Sequence, residues 1–255
     1  MTISLCVPTR GRPERFAAML RSAKATAHAP FQVCVRLDDD DPTNHRYAYD
    51  RDIDIRFTTG PRPYIAGSLC TSGLWNEAWS LATGDIAMLA SDDIVFRTPG
   101  WDTKVQAAFE AVPDRILMVY ADDGTKRQAP VNPFVHRRWI EAAGFTPHDY
   151  QGWFADEHVW VLAAELGRVV FLDDVRIAHL QRRGSDATYR DGEAAREAVG
   201  GWQGMRERFY SPEMVSRRQV QLEALRALQT DSGVVLPTPA PGWLSEALER
   251  SGAVV

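Results

Sequence analysis

Two adjacent carboxylates, Asp92 and Asp93, stand at the end of the apolar run Asp85-Ile86-Ala87-Met88-Leu89-Ala90, just after Ser91. Neighbouring acids repel unless a cation or hydrogen-bond donors offset them. Oxygen ligands suit Mg²⁺ or Mn²⁺, ions that keep several waters and bridge phosphate oxygens. On its own the pair reads equally as a helix cap or a solvated loop charge. A second acidic run, Asp38-Asp39-Asp40-Asp41, precedes Pro42. One of its members could accept a hydrogen bond from a base or a ribose, or cap a helix. His179 lies among Ile177, Ala178 and Leu180. By itself that is a core histidine, and it becomes a metal ligand only if the fold brings it to Asp93. Asp156 and Glu157 follow the aromatic stretch Tyr150-Gln151-Gly152-Trp153-Phe154. They read as dipole partners at a helix start, or as a general base beside a platform on which a sugar or nucleobase stacks. Arg10, Arg12, Arg137, Arg138, Arg182 and Arg183 are candidate phosphate or acceptor contacts, whereas Arg217 and Arg218 read as a solvated helix face.

The elements that must position these groups alternate. Thr2 to Val7 reads as a buried strand, followed by the turn Pro8-Thr9-Arg10-Gly11-Arg12-Pro13. Pro13 suits the first position of a helix, and Phe16, Met19, Leu20 and Ala23 give that helix one apolar face. Phe31, Val33, Val35 and Leu37 alternate with Gln32, Cys34 and Arg36, which is the period of a strand. Further strands are expected over 53–58, 85–90 and 115–120, with helices over 101–111, 137–144 and 154–167. Leu74, Trp75, Ala78, Leu81 and Ala82 form another helical stripe, with Gly84 as its expected C-cap. Val169 to Leu172 and Val175 to Leu180 read as two short strands. Ser211-Pro212-Glu213 opens a helix expected to reach Gln229, and Pro237, Pro239 and Pro241 read as a linker before a last short helix. Such alternation argues for an α/β fold with a mostly parallel sheet covered on both faces. Right-handed crossovers then place both acidic clusters on the edge where open α/β sheets bind ligands.

The composition narrows the class. The chain has 255 residues, 45% hydrophobic and 25% charged, which provides for a sizeable core and excludes a disordered chain. A net charge of −5 argues against a bulk nucleic-acid binder. The three cysteines, Cys6, Cys34 and Cys70, have no CxxC spacing and read as buried thiols in a reducing compartment. No apolar run approaches the ~18 residues of a membrane helix, and no signal pattern opens the chain, so the expectation is a cytoplasmic protein with no membrane partner. Walker A, GxGxxG, GxSxG and HExxH patterns are absent.

Taken in order, the motifs resemble the GT-A fold glycosyltransferases of the family-2 type. The likeness is carried by Ser4-Leu5-Cys6-Val7-Pro8-Thr9-Arg10-Gly11-Arg12-Pro13, by Asn76-Glu77-Ala78, by Ala82-Thr83-Gly84-Asp85 and by Ser91-Asp92-Asp93. It spans about residues 1–190, with Ser91 standing where the family has the first Asp of Asp-x-Asp. Pro99-Gly100-Trp101-Asp102, Tyr120-Ala121-Asp122-Asp123-Gly124, Gly167 to Leu172 and Asp186-Ala187-Thr188-Tyr189 are similar to glycosyltransferase-like proteins of bacteriophages.

The resemblance implies a nucleotide-sugar half over 1–120, an acceptor half over 121–210 and a C-terminal helix and tail over 211–255. It implies a nucleoside diphosphate sugar donor, a UDP-sugar first among them. Pro8, Thr9, Arg10, Arg12, Asp38 or Asp39, and Ser91 or Asp92 would line the donor site. Asp93 and His179 would hold Mn²⁺ or Mg²⁺, and Asp156 would be the base of an inverting, hexosyltransferase-type reaction. The acceptors open to it are hydroxymethylated pyrimidines in DNA, a protein and a surface polymer. A nucleotidyltransferase and a non-catalytic nucleotide-sugar-binding module are the competing readings.

Overall fold

A computed structural model of the chain describes residues 1–47, 49–65, 68–124, 131–148, 150, 154–180 and 186–230. The order is β1 (Ile3–Thr9), α1 (Pro13–Thr26), β2 (Phe31–Asp38), β3 (Asp54–Gly60), β4 (Tyr64–Ile65), β5 (Ser68–Leu69), α2 (Ser72–Trp79), β6 (Ile86–Leu89), β7 (Ile94–Phe96) and α3 (Trp101–Glu110). It continues with β8 (Met118–Asp122), β9 (Phe134–His136), α4 (Arg137–Ala143), α5 (Ala155–Glu165), β10 (Val169–His179), α6 (Ala187–Ala198), α7 (Gly201–Phe209) and α8 (Pro212–Arg226). Among the described residues, eight strands form one sheet in the order β3-β2-β1-β6-β9-β8-β10-β7. Only β9 and β7 run against the rest. The α/β architecture and mostly parallel sheet expected from the sequence are present.

Both faces of the sheet are covered. Ile3, Leu5 and Val7 of β1 face a core built with Phe16, Met19, Leu20 and Ala23 of α1 and Trp101, Val105 and Phe109 of α3. Cys6, Cys34, Ala87 and Leu89 face the opposite core, closed by Trp139, Val159, Leu162, Met214, Leu222 and Leu225. All three cysteines are buried free thiols. Burial raises Cys34 to about 12 and holds Cys6 well above its usual value. The alternation in β2 therefore has a different meaning from polar-out: every residue from Phe31 to Asp38 is buried. The polar members are matched to partners, since Gln32 accepts from Ser4 Oγ at 2.9 Å and Arg36 donates to Glu77 at 2.8 Å.

Three boundaries differ from the sequence reading. The stripe at 74–82 stops being helical at Trp79, and Gly84 is not a left-handed cap. A Cβ on Gly84 would meet Ser4 Oγ at 2.5 Å and Thr2 O at 2.7 Å, so glycine serves close approach of the backbone to β1. The two strands expected at 169–180 are one strand, β10, whose register shifts between Leu172 and Arg176. Its first part pairs with β8 and its last part, Ile177 to His179, pairs with β7. The helix opened by Ser211 ends at Arg226. Arg218 is a further correction: it is 2% exposed, donating to Phe209 O at 2.9 Å with its guanidinium over the Phe209 ring. Trp153, Arg182, Arg183 and the proline-rich tail lie outside the described residues. Among the described residues no helix is long and apolar enough to cross a membrane.

Two outcomes follow from this packing. Gly84→Ala should lower the unfolding free energy by about 1–3 kcal/mol in urea titration, the range for overpacking a dense interior. His136, buried at the end of β9, accepts from Arg138 N at 3.1 Å. Burial, with Arg115, Arg138 and Arg137 nearby, lowers it to about 4. The folded chain thus excludes a proton that the unfolded chain binds below its ordinary value near 6.5, so this contribution is lost as pH falls from about 6.5 to 4. Between pH 7.5 and 5 it should amount to about 2 kcal/mol, and His136→Asn, which retains a capping side chain, should lose that part of the pH dependence.

Candidate functional site

The site is built where β1, β2 and β6 end. Beyond Cys6, β1 has no further pairing with β6, so Pro8 sits where its missing N–H is not needed for the sheet. The chain then turns through Gly11, whose φ of +65° suits glycine, and Gly11 N donates to Asp41 Oδ2 at 2.7 Å. Burial pushes Asp41 up, but hydrogen bonds from Gly11 and Thr43 more than offset it and hold the carboxyl low. The second acidic run is therefore partly structural.

Asp92 is 4% exposed and points back into the crevice. Thr9 Oγ donates to it at 2.7 Å and Arg12 Nη1 at 3.0 Å. With the Thr9 proton committed, Tyr47 Oη (3.2 Å) donates to Thr9 and accepts from Arg12 N at 3.2 Å. Burial pushes Asp92 up to about 6, and the neighbouring Asp93 adds to the rise against the pull of Arg12 and Thr9. Ser91 turns away and donates to Asn132 Oδ1 at 2.8 Å.

Asp93 and His179 are 86 residues apart in sequence, yet sheet register joins them. The turn after Asp93 starts β7, Ile94 pairs with His179, and Leu180 N donates to Asp93 O at 2.8 Å. His179 Nε2 lies 3.1 Å from Asp93 Oδ1. For His179, burial opposes the charged form, but Asp93 outweighs it, with Asp123 and Asp156 adding to the field, and the imidazole is held above its usual value. Asp93 is correspondingly held low despite burial. Asp156 thus faces the same charge cluster from the first turn of α5. Burial, and after it the adjacent Asp156, raise Glu157 well above the carboxylate range, which favours its protonated form. The residue before α5, Phe154, has φ +80°, a left-handed conformation costing a non-glycine residue roughly 1–2 kcal/mol and found mostly at functional turns.

Asp38 is enclosed by arginines. Arg36 pairs with one carboxylate oxygen, while Arg10 (3.2 Å) and Arg62 (2.9 Å) reach the other. Asp39, next in the chain, is exposed. Arg10 also pairs with Asp40. The crevice therefore gathers Pro8, Thr9, Arg10, Arg12, Asp38, Asp39, Asp92, Asp93, His179 and Asp156, while the Ser91 side chain is turned to Asn132. It does not gather Arg137 and Arg138. Arg137 donates to Gly84 O at 2.7 Å and Arg138 to Asp114 O at 3.1 Å, both at the opposite end of the strands.

Several residues of the site had no sequence signal of their own. Arg36 and Tyr47 are buried polar groups that composition does not mark. Arg15 was legible in principle, because three positions after Arg12 on a helix it shares that face. It lies 3.8 Å from Asp93 and 2.9 Å from Asp186.

Among the described residues no three His, Cys, Asp or Glu side chains are placed to hold a metal ion together. Asp93 and His179 offer one oxygen and one nitrogen facing each other. Zinc, which takes three or four protein ligands, does not fit such a pair. A hard cation completed by waters and phosphate oxygens does.

No family model matches the chain, and no curated protein matches it. Solved structures do share its fold. The mannosyltransferase PcManGT from Pyrobaculum calidifontis, in complex with GDP-Man and Mn²⁺, superposes with a TM-score of 0.56 at 15% identity, over 97% of this chain and 79% of that one. Residues 1–349 of TarS from S. aureus, with UDP-GlcNAc, give a TM-score of 0.55 at 14% identity, over 88% of this chain and 72% of that one. The same part of TarS with UDP gives 0.56 at 12% identity, over 98% and 88%. The chain has the GT-A architecture expected from its motifs.

Proposed function

We propose that the protein is a glycosyltransferase that uses a nucleoside diphosphate sugar. The supporting observation is the convergence of Asp93, His179 and Asp156 on one sheet edge, in a fold shared with structures that carry UDP-GlcNAc, UDP and GDP-Man. A nucleotidyltransferase of α/β type relies on a glycine-rich loop with a lysine after the first strand, and the loop here has Gly11 and arginines instead.

Asp93 and His179 would hold Mn²⁺ or Mg²⁺, which would stabilise the charge that develops on the departing diphosphate. Asp39 is the better candidate for the base, since the oxygens of Asp38 are taken by Arg36, Arg10 and Arg62. The role of Asp38 is then to fix Arg10 and Arg62 at the lip of the crevice. Asp156 accepts the proton of the acceptor hydroxyl, with Glu157 beside it in the first turn of α5. Attack from the face opposite the diphosphate inverts the anomeric carbon. The acidic surroundings of the site, where Asp93, Asp123 and Asp156 all act on His179, favour a neutral, hydroxyl-bearing acceptor over a polyanion such as DNA.

Calorimetry with UDP and Mn²⁺ should show binding to the wild type, and UDP release from UDP-sugars should stop in excess EDTA. Asp156→Asn should retain UDP binding while losing turnover at least about 100-fold. Normal turnover by that variant removes Asp156 from the reaction, and full activity in EDTA removes the cation. Binding of Mn²⁺ should also weaken as pH falls, since His179 must be deprotonated to ligate and Asp93 favours its protonated form.

A further inference from the structure

Arg12 and Arg15 lie at the start of α1, one turn apart, and share a single carboxylate. Arg12 Nη2 donates to Asp186 Oδ1 at 2.9 Å, and Arg15 Nη2 is 2.9 Å from Asp186 Oδ2. The second contact is an ion pair without hydrogen-bond alignment, for Oδ2 is buried and makes no hydrogen bond among the described residues. Arg12 Nε is likewise buried with no acceptor among the described residues. The same two arginines reach the candidate cation site, Arg12 through Asp92 at 3.0 Å and Arg15 at 3.8 Å from Asp93. The start of α6 is also tied to this lip by Thr188 Oγ, which donates to Arg10 O at 2.7 Å, and by Asp191, 2.9 Å from Arg62.

We propose that Asp186 is an internal anion occupying the Arg12–Arg15 clamp, and that the diphosphate of the nucleotide displaces it on binding. The inference rests on the reading of the site given above. A phosphate presents oxygens to guanidinium forks much as a carboxylate does, but carries more charge and more acceptors. It can satisfy the misaligned Arg15 contact and the orphaned Arg12 Nε together, which Asp186 does not. The exchange sets Asp186 against the ligand, so apparent affinity is lower than the clamp alone would give. Asp186 also caps α6, accepting from Tyr189 N at 2.8 Å. Asparagine caps a helix as well as aspartate, so Asp186→Asn removes the charge and leaves the cap.

The test is calorimetric titration of UDP, with Mn²⁺ present, into wild type, Asp186→Asn, Arg15→Gln and the double variant. Asp186→Asn should bind UDP about threefold to tenfold more tightly, and the gain should shrink as KCl is raised, because the displaced contacts are ionic. Arg15→Gln should weaken binding, and in its background the gain from Asp186→Asn should be smaller. Unchanged or weaker binding by Asp186→Asn, with the wild type binding normally, overturns the inference and leaves the proposed function standing. If the wild type binds neither UDP, GDP nor inorganic pyrophosphate, the reading of the site fails and this inference with it.

Discussion

Two consecutive carboxylates withdrawn from water at the end of a core strand impose a condition on everything around them. Asp92 and Asp93 repel one another and are poorly solvated, so each needs its own positive or donating neighbours. Asp92 finds them in Thr9 and Arg12, from the loop after β1. Asp93 finds His179, from the far end of the sheet. The parallel strand order brings the first set, and the short antiparallel pairing of β7 with β10 brings the second. The same balance raises the carboxyl of Asp92 and lowers that of Asp93, so the two acids are not equivalent. One fastens the crevice, and the other faces what enters it.

The arginines obey the same condition from the other side. Arg36 is buried in a strand and is met by Asp38 and Glu77. Arg12, Arg15 and Arg62 are met by Asp92, Asp186, Asp38 and Asp191. On the proposed reading, an anion entering a crevice with so many charges already paired would bind by exchange of partners. Its affinity would then be a difference between two sets of ion pairs, and sensitive to salt.

Long periodic segments were legible in the sequence because each buries one face of a sheet or a stripe of a helix. The α1 stripe of Phe16, Met19, Leu20 and Ala23 is buried throughout. Strands β7 and β9 have three residues each, too few to show a period. Asp173 and Asp174 look like a turn between strands, yet they sit at a register shift inside one. Helices α6 and α7 bury few apolar residues, among them Ala195, Met205 and Phe209, so no stripe announces them. The acids of the site were visible by type and position, but their partners were not. Tyr47, Arg36 and Asp186 matter through contacts across 35 to 174 residues of chain, which local patterning does not encode.

The central claim is that Asp93 and His179 part from one another to take a cation together with a nucleotide diphosphate. The most direct measurement is a crystal structure grown with Mn²⁺ and UDP, with anomalous scattering recorded at the manganese edge. The expected result is an anomalous peak in contact with Asp93 Oδ1, His179 Nε2 and the diphosphate. A nucleotide-bound crystal in which His179 and Asp93 remain hydrogen-bonded, with no anomalous peak between them, would contradict the account.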